Sequence, residues 1–330
     1  MRRRVAAGVG FAALLFVLVQ LGALALVPTF YAEGYQTVED PSDPTNSLVY
    51  IGAILVATAA MLAAFKFDLQ WVVRGFVVLA TASLSWYVFS VFLPPLPAIG
   101  ASAAVAGALL AYPEWYVIDT AGVLMGAGAA GLFGISFGLL PALVLLVVLA
   151  VYDAISVYGT EHMLDLAAGV MELNLPVVLV VPTTLSYSLR EAATDVGSED
   201  SESEADGRGD GSVTDDATEP RDGDAPDEEI RDAFFIGLGD AVIPTVLVAS
   251  AAFFLPSSLT PSLGVPGLPA LTLPALTAML GTFAGLFTLL WMVLKGRPHA
   301  GLPLLNGGAI GGYLVGALAS GVPLLTALGL

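Results

Sequence analysis

Residues 233–255 read AFFIGLGDAVIPTVLVASAAFFL, and residues 138–158 read GLLPALVLLVVLAVYDAISVY. Each run is about as long as the ~20 apolar residues that a helix needs to cross a bilayer. Each carries one acidic side chain, Asp240 in the first and Asp153 in the second. A charge inside lipid is costly, so an acid within a span is a functional candidate wherever it occurs. Asp153 lies about six residues from the inner end of its run, and Asp240 about seven from the inner start of its own. At ~1.5 Å of rise per residue, both sit ~9–11 Å below the same surface. Two acids at one depth on consecutive antiparallel spans can face each other.

Seven further apolar runs, at roughly 5–27, 48–65, 72–93, 96–111, 118–137, 271–294 and 302–328, bring the expected spans to nine. The composition agrees. Of 330 residues, 57% are hydrophobic and 12% charged, with a mean hydropathy of +0.85, whereas a soluble domain is nearer ~45–50% apolar and ~25% charged. A water-soluble globule is excluded, and an all-α polytopic membrane protein is expected. Arg2, Arg3 and Arg4 before Val5–Val27 resemble the start of a signal peptide, but the apolar run is too long for a secretory core and reads as the first span.

With the N-terminus inside, the inner segments are 1–4, 66–71, 112–117, 159–232 and 295–301. All eleven Lys and Arg fall in these segments or within a turn of one, and none falls in 28–47, 94–95 or 256–270. By the positive-inside bias the N-terminus and the loop after the sixth span are cytoplasmic, and the C-terminus is outside.

The net charge of −18 is concentrated in residues 183–232, which hold 17 acids and 4 Arg. The chain divides into spans one to six (1–158), an interfacial helix and strand (159–182), this acidic cytoplasmic loop (183–232) and spans seven to nine (233–330). Residues 161–173 have the pattern of a short amphipathic helix on the membrane surface. Val177, Val178, Leu179, Val180 and Val181, between Pro176 and Pro182, are apolar but too few to span, and read as a strand. Residues 191–229 hold almost no large apolar side chain, so they are expected to be disordered.

Several motifs are set aside. Gly126-x-Gly128-x-x-Gly131 has no strand before it and lies inside an apolar span, where small residues let helices approach. Gly134-x-Ser136-x-Gly138 falls at a membrane hairpin with no histidine partner. His162 and His299 belong to no H-E-x-x-H, and there is no cysteine. No metal, cofactor or nucleic acid is expected.

Two close carboxylates in a low dielectric share one proton. One then serves as base toward water, while the other polarises a peptide carbonyl. The same pair also suits a proton relay, as in a proton- or cation-coupled transporter or a leak channel. Position alone leaves both readings open.

The flanking residues narrow the choice. Tyr152 precedes Asp153, and Asp240 closes Gly237-Leu238-Gly239-Asp240, whose glycines let backbone or substrate come close beside the acid. With a polar loop between them, these motifs resemble the presenilin and signal peptide peptidase family, the GxGD intramembrane aspartyl proteases. The resemblance covers the sixth, seventh and ninth spans; the first five match in number and hydrophobicity. The family's Pro-Ala-Leu motif is matched by Leu302 and the following Pro303, but Ala300 and Gly301 stand for its first two residues. That departure bears on substrate preference or rate more than on fold.

The resemblance implies a presenilin-like fold and an endopeptidase with Asp153 and Asp240 catalytic. It places Tyr152, Gly237, Leu238, Gly239, Leu302 and Pro303 beside the substrate. The implied substrates are transmembrane peptides of single-span proteins, reached within the lipid bilayer, with no obligatory protein subunit. The orientation is that of presenilins, and with the acidic insert it resembles an archaeal presenilin homologue. A helical substrate must unwind to expose a carbonyl. The Val177–Val181 strand is expected to receive the unwound segment by β-augmentation.

Overall fold

The structure, a computed structural model, describes residues 2–159, 177–182, 187–189, 233–295 and 299–330. The helices are α1 (Arg2–Ala32), α2 (Thr45–Lys66), α3 (Gln70–Phe92), α4 (Pro95–Ala111), α5 (Trp115–Ser136) and α6 (Leu139–Gly159). Two strands follow, β1 (Val178–Pro182) and β2 (Ala233–Gly237), then α7 (Leu238–Phe254), α8 (Leu273–Val293), α9 (Gly301–Ala319) and α10 (Leu324–Ala327). Among the described residues, seven helices are long and apolar enough to cross a membrane, while α4 and α7 are apolar but shorter, at 17 residues each. The expected interfacial helix at 161–173 and acidic loop at 183–232 lie outside the described residues.

Small residues decide how the helices meet. A Cβ on Gly126 would stand 3.2 Å from both Leu238 and Val242, and one on Gly131 would stand 3.2 Å from Phe30. The glycine-rich stretch of α5 is thus a packing face against α1 and α7, as lipid-embedded helices require. In α8 and α9, a methyl on Gly281 would strike the Gly308 carbonyl, and one on Gly312 the Thr277 carbonyl. The outer face of the bundle is apolar, with Trp71, Phe76, Leu79, Phe92 and Leu96 all exposed.

Two expected boundaries are corrected. The seventh apolar run is not helical from 233. Its first five residues form β2, antiparallel to β1, in the register Val178↔Gly237, Val180↔Phe235 and Pro182↔Ala233. Helix α7 starts only at Leu238, whose N–H donates to the Val177 carbonyl at 2.8 Å. Phe234, Phe235 and Ile236 suit a strand as well as a helix, so hydropathy cannot tell the two apart; a partner strand decides it. The ninth run does not continue to 328. Helix α9 stops at Ala319 because Gly321 adopts a positive φ (79°) and Pro323 follows. The tail folds back, and the Tyr313 hydroxyl donates to the Ala327 carbonyl.

Candidate active site

Helix α9 begins without a polar cap. Its N-cap is Ala300, which offers no side-chain acceptor to the first-turn amides. Asp153, from the interior of α6, supplies one, and the Leu302 N–H donates to its Oδ2 at 3.0 Å. The Ala300 N–H reaches the Tyr158 hydroxyl, one turn beyond Asp153, at 3.4 Å. A carboxylate at a helix N-terminus is also favoured by the helix dipole. The α9 start is therefore held by α6 through the acid itself.

Asp240 stands in the first turn of α7. A Cβ on Gly301 would lie 3.0 Å from Asp240 Oδ2 and 3.2 Å from Oδ1, and one on Gly237 would lie 3.7 Å from Oδ2. Glycine at 301 is what lets α9 approach this carboxylate. Asp153 meets residue 302 and Asp240 meets residue 301, so the two acids converge on adjacent backbone units, within electrostatic reach of each other. Both are half-buried. Four residues after Asp240, Pro244 has no N–H to give the Asp240 carbonyl, which loosens the helix at the acid.

The other expected residues divide. Tyr152, Leu302 and Pro303 are half-buried, and Gly239 is exposed with open space where a side chain would be. Leu238 is buried against α5 and is part of the packed interior. Of the strand residues, Val177 and Val178 are half-buried, while Leu179, Val180 and Val181 are buried. The strand runs 178–182, with Val177 in the turn before it.

The expected open edge of this strand is corrected. Backbone groups alternate sides along an antiparallel pair. Val177 faces β2 through its carbonyl, so Leu179 and Val181 face β2, and Val178, Val180 and Pro182 face away. The Val180 N–H is already taken by Asp119 Oδ1 at 2.7 Å, and Pro182 has none. On β2 the outward backbone groups are those of Ala233, Phe235 and Gly237, and this edge ends beside Asp240.

Two acids that sequence reasoning did not assign are Asp119 and Glu114, both buried. Asp119 was visible only as a charge near one end of a Gly-rich span, and its partner lies 61 residues away. Among the motifs set aside, Ser136 accepts from the Thr37 hydroxyl (2.9 Å) and amide (3.1 Å), pinning the loop between α1 and α2 to the end of α5. Among the described residues there is no cluster of three metal-ligating side chains.

Acids from two helices of the bundle thus meet at the start of a third, an arrangement suited to acid–base chemistry. The sequence model of the family described as signal-peptide peptidase, presenilin aspartyl protease matches residues 13–322, and the chain belongs to that family. A solved structure of a presenilin family intramembrane aspartate protease in space group C222 is 31% identical, with 94% of this chain and 99% of that chain covered and a TM-score of 0.62. A second, in space group P2, is 32% identical over 93% and 96%, with a TM-score of 0.58. No curated protein matches the chain. The protein is a multi-pass membrane protein and an intramembrane aspartic endopeptidase.

Proposed function

We propose that Asp153 and Asp240 are the catalytic dyad and that the protein hydrolyses peptide bonds within single-span membrane proteins. The observation that carries this is the convergence of both carboxylates on residues 301 and 302, at a point where β2 ends. One acid, ionised, takes a proton from water as it attacks the scissile carbonyl. The other, protonated, donates to the carbonyl oxygen, and a proton then passes to the leaving nitrogen. The Leu302 N–H donates to Asp153 Oδ2, which fixes the orientation of that carboxyl.

The substrate reaches the pair unwound. Its exposed amides and carbonyls pair with the outward groups of Ala233, Phe235 and Gly237, so that the scissile bond arrives beside Asp240. Val178 to Pro182 back β2 rather than touching the substrate backbone. Gly237, Gly239, Tyr152, Leu302 and Pro303 line the approach. No partner subunit or cofactor enters the scheme.

The chain crosses the membrane nine times, N-terminus inside. Seventeen-residue α4 and α7 reach only ~26 Å at 1.5 Å per residue, somewhat short of a ~30 Å hydrocarbon core. Strand β2 extends α7 on its inner side. Nine crossings also keep every Lys and Arg on one side.

The test is cleavage of a labelled single-span peptide by purified protein, with and without an aspartyl transition-state analogue. Inhibitor-sensitive cleavage that disappears with Asp153→Asn and Asp240→Asn is expected. Cleavage that survives either substitution would overturn the dyad.

A further inference from the structure

We propose that Glu114 and Asp119 form a two-point clamp at the inner end of α5, which sets the register of the β1–β2 sheet and so selects which substrate bond reaches the acids. This rests on the protease reading above.

Glu114 occupies the N-cap position of α5 with an extended backbone, yet its side chain makes no cap for that helix. It turns instead to the segment after β1. Its Oε1 accepts from the Ser188 hydroxyl at 2.9 Å, and its Oε2 accepts from the Leu189 N–H at 3.2 Å. Five residues on, Asp119 Oδ1 accepts from the Val180 N–H inside β1. The two acids are 5% and 3% exposed. One helix end thus grips the chain both within β1 and beyond it.

The chemistry is specific to backbone holding. Hydrogen bonds to an acid are shorter and stronger than neutral ones, but burying the acid is expensive. Asp119 Oδ2 has no hydrogen-bond partner among the described residues, so the contact made by Oδ1 is the one that the described structure gives this side chain. That contact also decides which edge of the sheet stays open. It removes the Val180 donor, and the ring of Pro182 removes another. Val178 is left with the only N–H that neither removes on the outer edge of β1. A third strand therefore adds to β2, in a register that the clamp fixes from behind. Glu114 and Asp119 are positioning residues; neither touches the substrate.

The experiment maps the products of a single-span peptide by mass spectrometry for the wild-type protein, Asp119→Leu and Asp119→Asn, each checked for folding. Leucine has no acceptor, while asparagine keeps one for the Val180 amide. With leucine, the ratio of the principal product to those cut one or two residues away should fall by about tenfold, the discrimination that one hydrogen bond to an acid supplies. Asparagine should restore the wild-type ratio. A merely structural role lowers the amount of every product in parallel, and unchanged ratios in Asp119→Leu would overturn the clamp. So would an Asp119→Asn pattern equal to that of Asp119→Leu. Should Asp119→Leu not fold, Glu114→Ala decides on the same readout: altered ratios uphold the clamp and unaltered ratios reject it. If the wild-type protein cuts nothing, the protease reading itself has failed.

Discussion

Asp153 is held by a backbone N–H, and Asp240 is approached closely at Gly301, where there is no side chain, which makes their surroundings sensitive to single atoms. Replacing either by asparagine keeps the size and an acceptor oxygen but removes the acid–base group that the proposed dyad needs. Each variant should keep the melting temperature of the wild type and lose all peptide cleavage. Gly301 is the finer probe. A methyl there meets Asp240 at 3.0 Å, tighter than ordinary contact, and overfilling a packed site costs about 1–3 kcal/mol. Gly301→Ala should lower kcat roughly tenfold, and Gly301→Val more than about a hundredfold, with KM changing less. Wild-type kcat in both would show that the close approach has no catalytic consequence. The acids were legible in the sequence because a lone charge stands out in an apolar run. The contact between residues 240 and 301 was not, because nothing local ties them; the sequence showed only that Gly301 departs from Pro-Ala-Leu.

Strand β2 is the element that hydropathy misread, and it carries the next prediction. Phe235 presents its N–H outward from β2, while Leu179 uses its own to hold β2. If the proposed docking on β2 holds, Phe235→Pro should abolish cleavage at modest cost to stability, since proline removes an outward amide of that edge. Leu179→Pro should destabilise the sheet itself. Val178→Pro, on the edge facing away from the substrate, should be the mildest of the three, and alanine at each position milder still. Equal losses across the proline set would reject the β2 edge as the docking edge. The α8–α9 pair gives a cleaner thermodynamic contrast. Gly308 and Gly312 face carbonyls of α8 at close range, while Gly307 and Gly311 have nothing within 4 Å. Gly308→Ala and Gly312→Ala should each destabilise by about 1–3 kcal/mol. Gly307→Ala and Gly311→Ala should be neutral or stabilise by up to about 1 kcal/mol through helix propensity. Thermal unfolding in detergent separates the pairs. Here the sequence showed the glycine spacing but not which glycine of each pair faces the neighbouring helix.

Across the whole molecule, the nine apolar runs correspond to nine helices, with the corrections at 233–237 and 320–328. Length and hydrophobicity fix such runs almost independently of context, whereas strand pairing and the fold-back after Ala319 depend on distant partners. The chain holds no cysteine, so single introduced cysteines report the proposed nine crossings directly. Single cysteines at Glu39 and Leu259 should react with a membrane-impermeant maleimide from outside the cell, while cysteines at Phe67 and Tyr112 should react only after lysis. Labelling of Phe67→Cys or Tyr112→Cys in intact cells would break the nine-span arrangement.

The pairing of Pro182 with Ala233 brings together the two ends of a 50-residue stretch, 183–232. Strand pairing, together with the packing of α5 on α7 and of α6 on α9, holds the first six helices to the last three. Closing a loop costs free energy only in proportion to the logarithm of its length, so trimming 50 residues to about 20 changes the closure term by less than about 1 kcal/mol. Deleting residues 195–225 should therefore leave the melting temperature in detergent nearly unchanged. By the same geometry the junction is a port. A fluorescent protein whose own termini lie close together should fit there without parting the strands. Two separately expressed pieces, broken anywhere between 195 and 225, should find each other in the membrane and work as one enzyme.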